Sequence, residues 1–573
     1  MSYLAPVDWY IIIFYIILVI GIGVYLSRRA TKNIESYFIA DRKLPWWLLG
    51  TSIVATTFAA DTPLVVSGLI KTKGIAGNWY WWSAAMGGML GVFFYSHLWR
   101  RSRIITDAQF AELRYSGKSA SILRGFRALF YPLIYNTIVI GWVILAMTKI
   151  LGGVLGLHKW EAVAVCFLIA VIYTSFGGLW GVVVTDLVEF CTAMFTSILL
   201  AIIAINKVGG MNNIFEKLNM IYGDKADNIT NIFPLESVLM PIGFFFIYIG
   251  FQWWTSGNTD GGAYFSQRML SAKNEKHARL GFLWATFAHY CIRTWPWIIV
   301  GLVAIVVFPD LKDPEMGYIK VMTKFMPAGL LGLALTGFLA AFLSTIDTQL
   351  NWGASYLIND FYKRFLVKSA SDKHYVIASV AATIIIAIVG SLVTFIMTSI
   401  YNAWTIITSI TAGIGLVYIL RWYWWRINAW SEISALVAST IMSTIITLYT
   451  DIQFPVTLLY ITPVSIICWV SVTFLTSPSS NERLIDFYKT VRPGGPGWIR
   501  IRKQIPGTEN DTFDMDKLKG FIAAVVAIYS TLIGAGKIIL GETILGLFLI
   551  FIASIAGIVI YNILIKIERQ SLG

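Results

Sequence analysis

Long apolar segments recur along the whole chain, and short polar segments separate them. Most of them are about 20 residues long, the length that an α-helix needs to cross the hydrocarbon core of a bilayer. The pattern predicts an all-α polytopic membrane protein with about 15 transmembrane helices. The predicted spans are 7–26, 46–70, 79–99, 126–151, 160–176, 179–206, 236–257, 281–308, 327–358, 375–399, 401–420, 428–449, 453–476, 518–539 and 543–565.

The composition agrees with a membrane environment, because 57% of the residues are hydrophobic and 13% are charged. A soluble chain of 573 residues would need charged surfaces around several domains. The first span is not expected to be a cleaved signal peptide, since Asp8 opens it, no basic region precedes it, and Arg28 and Arg29 follow it. We therefore interpret it as a leading transmembrane helix.

The arginines predict the orientation of the helices. Every arginine except Arg293 lies in a loop that follows an odd-numbered span, at a span end beside such a loop, or in the C-terminal tail. Under the positive-inside rule these loops are cytoplasmic, so the N-terminus is expected outside and the C-terminus in the cytoplasm. The net charge of +13 is then an orientation signal and not a nucleic-acid footprint. We expect a multi-pass protein of the cell membrane (plasma or inner membrane) that contacts lipid, without a nucleic-acid partner or an obligatory protein partner.

One polar segment interrupts the second span. "ATTFAADTPLVV" (55–66) contains three threonines, Asp61 and Pro63. Pro63 lacks an N–H and clashes with the preceding turn, while threonine hydroxyls can bond the freed carbonyl groups, so the helix is predicted to break at 55–62. Unwound backbone that lines a polar cavity offers carbonyl oxygens to a cation. A simple proline kink is the alternative.

A second interruption, "QWWTSGNTDGGAYFSQR" (252–268), ends the seventh span with glycines, an asparagine and Asp260. The two breaks are five spans apart, and the second and seventh spans are predicted to cross in opposite directions. This is typical of two inverted five-helix repeats with a binding site at their interface. The predicted segments are a leading helix and inner loop (1–45), a first repeat with an outer loop (46–235), a second repeat (236–427), trailing helices (428–476), a cytoplasmic linker (477–517), and two last helices with a cytoplasmic tail (518–573).

The ninth span carries a cluster of oxygen-bearing side chains within "LSTIDTQLN" (343–351), formed by Ser344, Thr345, Asp347 and Thr348. Hydroxyl, carbonyl and carboxylate oxygens suit a hard monovalent cation such as sodium. The alternative is structural, since serine and threonine often bond to carbonyl groups of their own helix, and small residues allow close helix packing.

Ionisable residues inside the spans are functional candidates, because a charge in hydrocarbon is costly. The alternative is that they neutralise one another as structural ion pairs. These residues are Asp61, Asp186, Glu189, Asp260, His289, Arg293 and Asp347.

Several ordered motifs together resemble the sodium:solute symporter family, which includes sodium–glucose, sodium–proline and sodium–sialic acid transporters. They are "ESYFIADRKLPWW" (35–47), "GGLWGVVVTDLVEF" (177–190), "YFSQRMLSAK" (264–273), "LSTIDTQLN" (343–351) and "INDFYKRF" (358–365). The resemblance covers most of the chain. It implies an inverted five-plus-five helix repeat of the leucine-transporter type, made by spans 2 to 11, with one leading and several trailing helices. It also implies coupling to sodium.

The resemblance carries the family's sodium sites onto particular residues. The principal site would use backbone oxygens of Ala55, Phe58 and Ala341 with the hydroxyls of Ser344 and Thr345. A second site, present in only some members, would fall on Asp186, Ser344, Asp347 and Thr348. Family members more often have a hydroxyl or a small residue where Asp347 stands. That carboxylate could strengthen the second site, take a proton, or pair with Arg293.

The solute pocket is expected between the two breaks, and Tyr264 matches a gating tyrosine of the family. Polar residues that hold sugar in sugar-transporting members are replaced here, since Tyr80 stands where a glutamate is expected. The aromatic run 78–83 either contacts the solute or anchors the span at the membrane interface. Arg293 either meets a carboxylate of the solute or pairs with Asp260 or Asp347. The candidate substrate-binding residues are Asp61, Thr62, Trp79, Trp81, Ser83, Asp260, Tyr264, His289 and Arg293.

We therefore expect a secondary active transporter that couples sodium to a small organic solute (a sugar, polyol, amino acid or carboxylate) by alternating access. Sodium is the expected co-transported ion, and no organic cofactor is expected. No glycine-rich phosphate loop or metal-ligand spacing points to an enzyme. One alternative is a proton-coupled transporter or exchanger on the same fold, with Asp347 or Asp61 as the proton carrier. A transporter-like sensor is disfavoured, because 477–517 and the short tail leave no room for a signalling domain.

Overall fold

Helices make up the structure, a computed structural model that describes residues 3–30, 34–174, 178–235, 237–508 and 514–572. The extended pairing found in these ranges is an isolated bridge between Leu44 and Ala272. Gly177, the first residue of the motif at 177–190, lies outside the described residues.

The leading helix and the helices of the first half are Pro6–Ala30, Ile34–Ile39, Trp46–Thr56, Thr62–Lys73, Trp79–Trp82, Ala84–Leu90, Ser96–Ser102, Phe110–Arg114, Gly117–Phe130, Asn136–Leu155, Lys159–Thr174, Gly178–Val208, Gly210–Tyr222 and Ala226–Thr230. The helices of the second half are Ile242–Ile247, Trp253–Thr255, Tyr264–Leu270, Glu275–Phe287, Thr294–Val307, Gly317–Phe325, Leu330–Ser355, Asp372–Ile396, Ile400–Thr411 and Gly415–Tyr423. The later helices are Ala429–Tyr449, Thr457–Leu475, Asn481–Val491, Ile499–Arg502, Met515–Ile539 and Thr543–Leu572.

Wider and tighter helical turns connect several of these helices. The π-helical turns are Gly91–Tyr95, Tyr131–Tyr135, Tyr248–Gln252, Ala288–Ile292 and Tyr356–Leu366. The 3-10 turns are Ala40–Arg42, Ile75–Asn78, Asp107–Gln109, Gly223–Lys225, Pro314–Met316 and Pro496–Trp498.

Ten helices in the described ranges are long and apolar enough to cross a membrane, or eleven when Ile400–Thr411 and Gly415–Tyr423, bent by 44°, count as one span. The remaining predicted spans correspond to shorter or broken helices, such as Lys159–Thr174 with 16 residues. The all-helical membrane fold is confirmed. The number of about 15 crossings stays a prediction, because a broken helix can cross a bilayer without any piece reaching about 20 residues.

The break in the second span is confirmed. Trp46–Thr56 and Thr62–Lys73, together called the first broken helix below, are separated by a non-helical segment. Pro63 stands in the first turn of the second piece, where its missing N–H costs no helical hydrogen bond. The hydroxyls of Thr56 and Thr57 donate to carbonyl oxygens one turn earlier, at 3.0 Å from Ser52 O and 3.0 Å from Val54 O. The proline therefore starts a new helix here and does not merely kink an old one.

The second break is also present, because the helix Trp253–Thr255 ends and the next helix begins only at Tyr264. Gly261 has a φ of 73°, a left-handed conformation that glycine adopts without strain. The local glycines thus let the chain turn sharply between the two helices.

The helix Leu330–Ser355, called the central helix below, is buried along almost its whole length. It packs against the first piece of the first broken helix, against Gly178–Val208 and against the leading helix Pro6–Ala30. Because its surroundings are protein on nearly every side, its hydroxyl and carboxyl groups must find their partners inside the molecule.

The segment 477–517 differs from the expected linker. It contains the helices Asn481–Val491 and Ile499–Arg502, and Phe487 and Trp498 are fully buried. The guanidinium carbon of Arg114 lies 4.7 Å from the centre of the Trp498 ring and 5.2 Å from that of Phe487. The buried rings of Phe487 and Trp498 therefore pack against Arg114 and attach this segment to the helical core.

Candidate functional site

A cavity of about 350 Å³ lies between the two breaks. The first broken helix, the second break, the helical stretch Glu275–Val307 and the helix Ile400–Thr411 all contribute to its wall. Its lining is rich in aromatic rings, among them Tyr80, Trp81, Trp253, Tyr264, Tyr290 and Trp404. Of the expected solute-binding residues, the cavity collects Asp61, Thr62, Trp81, Tyr264, His289 and Arg293.

Hydroxyl and carbonyl oxygens meet where the break of the first broken helix touches the central helix. Ser344 Oγ lies 3.1 Å from the carbonyl oxygen of Ala55 and 3.1 Å from that of Ala341. Thr345 Oγ1 lies 2.9 Å from the carbonyl oxygen of Thr56 and 3.1 Å from that of Ala341. Each hydroxyl donates here and keeps lone pairs on its oxygen. The cluster therefore presents oxygen ligands from both helices, the set that a sodium ion prefers.

Phe58 borders the same oxygen cluster. Its N–H donates to the carbonyl oxygen of Ala55 at 2.9 Å. Its ring packs on Trp297 with the ring centres 5.0 Å apart. Ala55, Ala341, Ser344 and Thr345 of the expected principal set are thus brought together, and Thr56 joins them through its carbonyl oxygen, whereas the role of the Phe58 backbone oxygen stays a prediction.

Arg268 occupies the region expected to hold a second sodium. Its guanidinium donates to Ser52 Oγ at 3.1 Å and to Thr348 Oγ1 at 2.5 Å, and it lies 3.8 Å from a carboxylate oxygen of Asp186. Ser52 also donates to that carboxylate oxygen, at 2.5 Å. A guanidinium repels another cation, so Asp186 and Thr348 do not form a free sodium site in this structure. This corrects the expectation for these two residues.

Asp347 lies on the central helix with 1% of its surface exposed. Neither of its carboxylate oxygens has a hydrogen-bond partner among the described residues. Asp186, Glu189 and Arg268 lie close enough to interact with it electrostatically. Among the described residues, Asp347 is therefore the carboxylate of the expected second site that has no direct ion pair, and its role stays a prediction.

Arg293 has no carboxylate partner among the described residues, which corrects the expected pairing with Asp260 or Asp347. Its Nε donates to the carbonyl oxygen of His289 at 3.0 Å, and its guanidinium contacts the His289 ring. The guanidinium carbon lies 5.3 Å from the centre of the Trp297 ring. The positive charge therefore stays available at the cavity wall.

Asp61 lies on the cavity wall as well, with 2% of its surface exposed. Its Oδ2 accepts a hydrogen bond from the Trp404 indole N–H at 2.8 Å, and its Oδ1 has no partner. The side chain does not cap the second piece of the first broken helix. The carboxylate is thus held by one bond at the cavity, with its second oxygen free.

Asp260, expected to bind the solute, lies outside the cavity lining. Its Oδ2 accepts from Arg421 Nη2 at 2.6 Å and from the Trp422 indole N–H at 2.8 Å, and the carboxylate and the guanidinium are completely buried. The partners lie on the helix Gly415–Tyr423, away from the cavity. The residue therefore ties the second break to that helix, as the structural alternative proposed.

Trp79 and Ser83 also lie outside the cavity lining. The Trp79 indole donates to the carbonyl oxygen of Ile232 at 2.8 Å, and its ring packs against Phe245 with the ring centres 5.0 Å apart. Successive residues of a helix point about 100° apart, so only part of the run 78–83 can face the cavity. Within this run Tyr80 and Trp81 line the cavity, whereas the expected positions of Trp79 and Ser83 on its wall are wrong.

Sequence reasoning did not single out Trp404, Gln252 or Tyr290, which also line the cavity. Trp404 lies in an apolar span with no distinguishing neighbour. Gln252, His289 and Tyr290 lie in π-helical turns. Such turns are frequent at functional sites, but the sequence carries no clear signal for them.

Residues 37–441 match the sodium:solute symporter family. The chain belongs to this family. A sodium/glucose cotransporter of Vibrio parahaemolyticus is 25% identical over 472 residues, covering 76% of this chain and 84% of that protein. The osmoregulated proline transporter OpuE of Bacillus subtilis (strain 168) is 25% identical over 452 residues, covering 75% of this chain and 86% of that protein.

A solved structure shows the same fold. The substrate-bound outward-open state of a Na⁺-coupled sialic acid symporter superposes with a TM-score of 0.68 at 19% identity, covering 83% of this symporter-family chain and 99% of that chain. The leucine-transporter-type architecture is therefore confirmed. As a family member this protein is a membrane transporter and not an enzyme, and its family couples transport to sodium.

Proposed function

We propose that this protein is a sodium-coupled symporter of a small organic solute. The observation that carries the proposal is the oxygen cluster of Ala55, Thr56, Ala341, Ser344 and Thr345, which joins the first broken helix to the central helix beside the cavity. A cation bound there would cross-link two helices that border the solute, so ion binding and solute binding would favour the same conformation.

The cycle follows from this linkage. Sodium binds from outside and joins the first broken helix to the central helix, which completes the solute cavity. The two repeats then rock against each other and expose the cavity to the cytoplasm. Each sodium ion that moves down an inside-negative membrane potential contributes about 2.3 kcal/mol per 100 mV.

The test is uptake at varied sodium concentration by the full-length protein and by Ser344→Ala and Thr345→Ala. We expect each variant to raise the sodium concentration for half-maximal uptake roughly 10-fold, because each loses one oxygen ligand. Thr336→Ala is the matched control, since this hydroxyl of the same helix bonds its own helix at Gly332 O (2.8 Å). Unchanged sodium dependence in both variants would remove Ser344 and Thr345 from the site.

A proton-coupled cycle is the second candidate, and the unpartnered carboxylate of Asp347 favours it. Replacing sodium by choline distinguishes the two. Uptake that persists undiminished in choline and stops with a proton uncoupler would overturn sodium coupling. In that case Asp347→Asn should abolish the uncoupler-sensitive uptake, whereas Asp451→Asn, at an exposed loop position, should not.

A further inference from the structure

Two opposite charges share the wall of the solute cavity. Among the described residues that line it, Asp61 and Arg293 are the ones with a formal charge at neutral pH, apart from the titratable His289. No ion pair joins Asp61 and Arg293, and each has about 1–2% of its surface exposed. Buried charges in proteins are normally paired. The two opposite charges interact electrostatically across the cavity without a direct ion pair.

The carboxylate side of the cavity is prepared for a donor group. Asp61 is oriented by the Trp404 indole, and its Oδ1 is buried without a partner. The Trp404 ring stacks with Tyr80 at an interplanar angle of 13°, with the ring centres 6.0 Å apart. A carboxylate beside aromatic faces suits an ammonium group, which gains from both.

The guanidinium side is prepared for an anion. Arg293 is fixed by the carbonyl oxygen of His289 and by the faces of Trp297 and Phe58. None of these groups is negatively charged. A planar guanidinium held in this way recognises a carboxylate with two parallel hydrogen bonds.

The cavity that holds the two charges is small, and aromatic rings form much of its wall. The volume of about 350 Å³ is at the lower end of the range for small-molecule sites, roughly 300–1,000 Å³. Aromatic rings such as Trp81, Trp253 and Phe282 form much of the remaining wall, beside hydroxyl and amide side chains such as Asn258 and Thr259. An apolar body with two charged ends is matched by the aromatic rings together with the two charged groups.

We infer that the solute is a small zwitterion with an apolar body, whose ammonium group meets Asp61 and whose carboxylate meets Arg293. This inference rests on the proposed function, because it assigns the solute class of the same cavity. Binding replaces two buried unpaired charges by two charge-assisted pairs, so loss of either group from the solute leaves one protein charge uncompensated.

The test is ligand binding to the purified full-length protein in sodium chloride and in choline chloride. The zwitterionic probes are L-phenylalanine, L-tryptophan, L-proline and glycine betaine. Phenethylamine and 3-phenylpropionate each lack one charge of L-phenylalanine, and D-glucose and myo-inositol are neutral. We expect at least one zwitterion to bind, and its single-charge analogues to bind roughly 10- to 100-fold more weakly.

Two variants separate the two ends of the solute. Asp61→Asn should weaken binding of the zwitterion and of phenethylamine while leaving binding of 3-phenylpropionate unchanged. Arg293→Gln should weaken binding of the zwitterion and of 3-phenylpropionate while leaving binding of phenethylamine unchanged. The controls Asp451→Asn and Arg483→Gln change the same residue types at exposed positions. Sodium-dependent thermal stabilisation of each variant without solute shows that it is folded.

The outcomes are distinguishable. If none of the four zwitterions binds, whether or not glucose or inositol does, the zwitterion assignment is overturned. Sodium coupling is then decided separately by the uptake experiment with Ser344→Ala and Thr345→Ala. If a zwitterion binds equally well in choline chloride, the solute assignment stands and the sodium proposal fails.

Discussion

Four buried aspartates illustrate how the environment sets the role of a residue. Asp61 faces the cavity with one indole partner, Asp186 shares a network with Ser52 and Arg268, Asp260 is paired with Arg421, and Asp347 has no partner among the described residues. All four residues carry the same functional group at similar burial. The presence or absence of a directly paired arginine therefore distinguishes the structural aspartates from the functional candidates.

This contrast predicts that two similar substitutions affect different properties, namely stability for Asp260→Asn and solute binding for Asp61→Asn. Asp260→Asn leaves the buried guanidinium of Arg421 with one carboxylate partner, Glu432 at 3.4 Å, so we expect a loss of stability on the order of 3 kcal/mol. Asp61→Asn removes no ion pair and should change stability by less than about 1 kcal/mol while it weakens solute binding. The apparent melting temperature of the purified protein without solute measures the first effect. A larger destabilisation from Asp61→Asn than from Asp260→Asn would contradict this assignment.

At the scale of elements, the leading helix supports the central helix through Asp8. Asp8 Oδ1 accepts the N–H groups of Gly329 and Gly332, both at 2.7 Å, at the start of the central helix. A Cβ atom on Gly332 would lie 2.4 Å from Asp8 Cα, so only glycine allows this approach. The helix that carries Ser344 and Thr345 is therefore anchored at its N-terminus by a residue near the beginning of the chain.

Removing this anchor should destabilise the protein. Asp8→Ala leaves two N–H groups of the central helix without a partner, and we expect a loss of roughly 1–3 kcal/mol, seen as a lower apparent melting temperature. Asp8→Asn keeps an acceptor oxygen and should restore part of the loss. Asp224→Ala, at an exposed position, is the control for loss of a surface carboxylate. Equal melting temperatures for Asp8→Ala and this control would show that the anchor contributes no stability.

At the scale of the whole molecule, the oxygen cluster, the cavity and the docked segment 477–517 all connect parts of the chain that are distant in sequence. Ser344 reaches a carbonyl 289 positions earlier, and Trp404 reaches Asp61 across 343 positions. An ion or solute bound at these contacts touches both halves of the fold, which is the requirement for coupling their movement.

The predicted orientation is a property of the whole molecule that labelling can test. In intact cells, a cysteine introduced at Asp310, in the loop predicted to lie outside, should react with a membrane-impermeant maleimide. A cysteine introduced at Glu482, in the segment predicted to be cytoplasmic, should react only in inside-out vesicles. Both positions are exposed, and the unchanged protein reports the background from its 4 native cysteines. The reverse pattern would invert the orientation given by the arginines.

The sequence determined the features that depend on neighbouring residues. Apolar segments of about 20 residues require a membrane, and Pro63 and the glycines of 252–268 break helices through their own backbone restrictions. The oxygen cluster could also be predicted from the sequence, because Ser344 and Thr345 belong to a motif that the family shares. The two predicted breaks also indicated where the cavity lies, and Asp61, Thr62, Trp81, Tyr264, His289 and Arg293 do line it, while their binding of a solute stays a prediction.

Only the tertiary structure decided which charged group meets which partner. Arg421 reaches Asp260 across 161 positions, and Arg268 reaches Ser52 across 216, so no local pattern identifies them. The same limit explains the errors at Trp79 and Ser83, whose direction depends on how a short helix is rotated against its neighbours. A buried charge must be compensated wherever the fold brings a partner to it. The sequence alone therefore predicts that such partners exist, and the packing of the helices selects them.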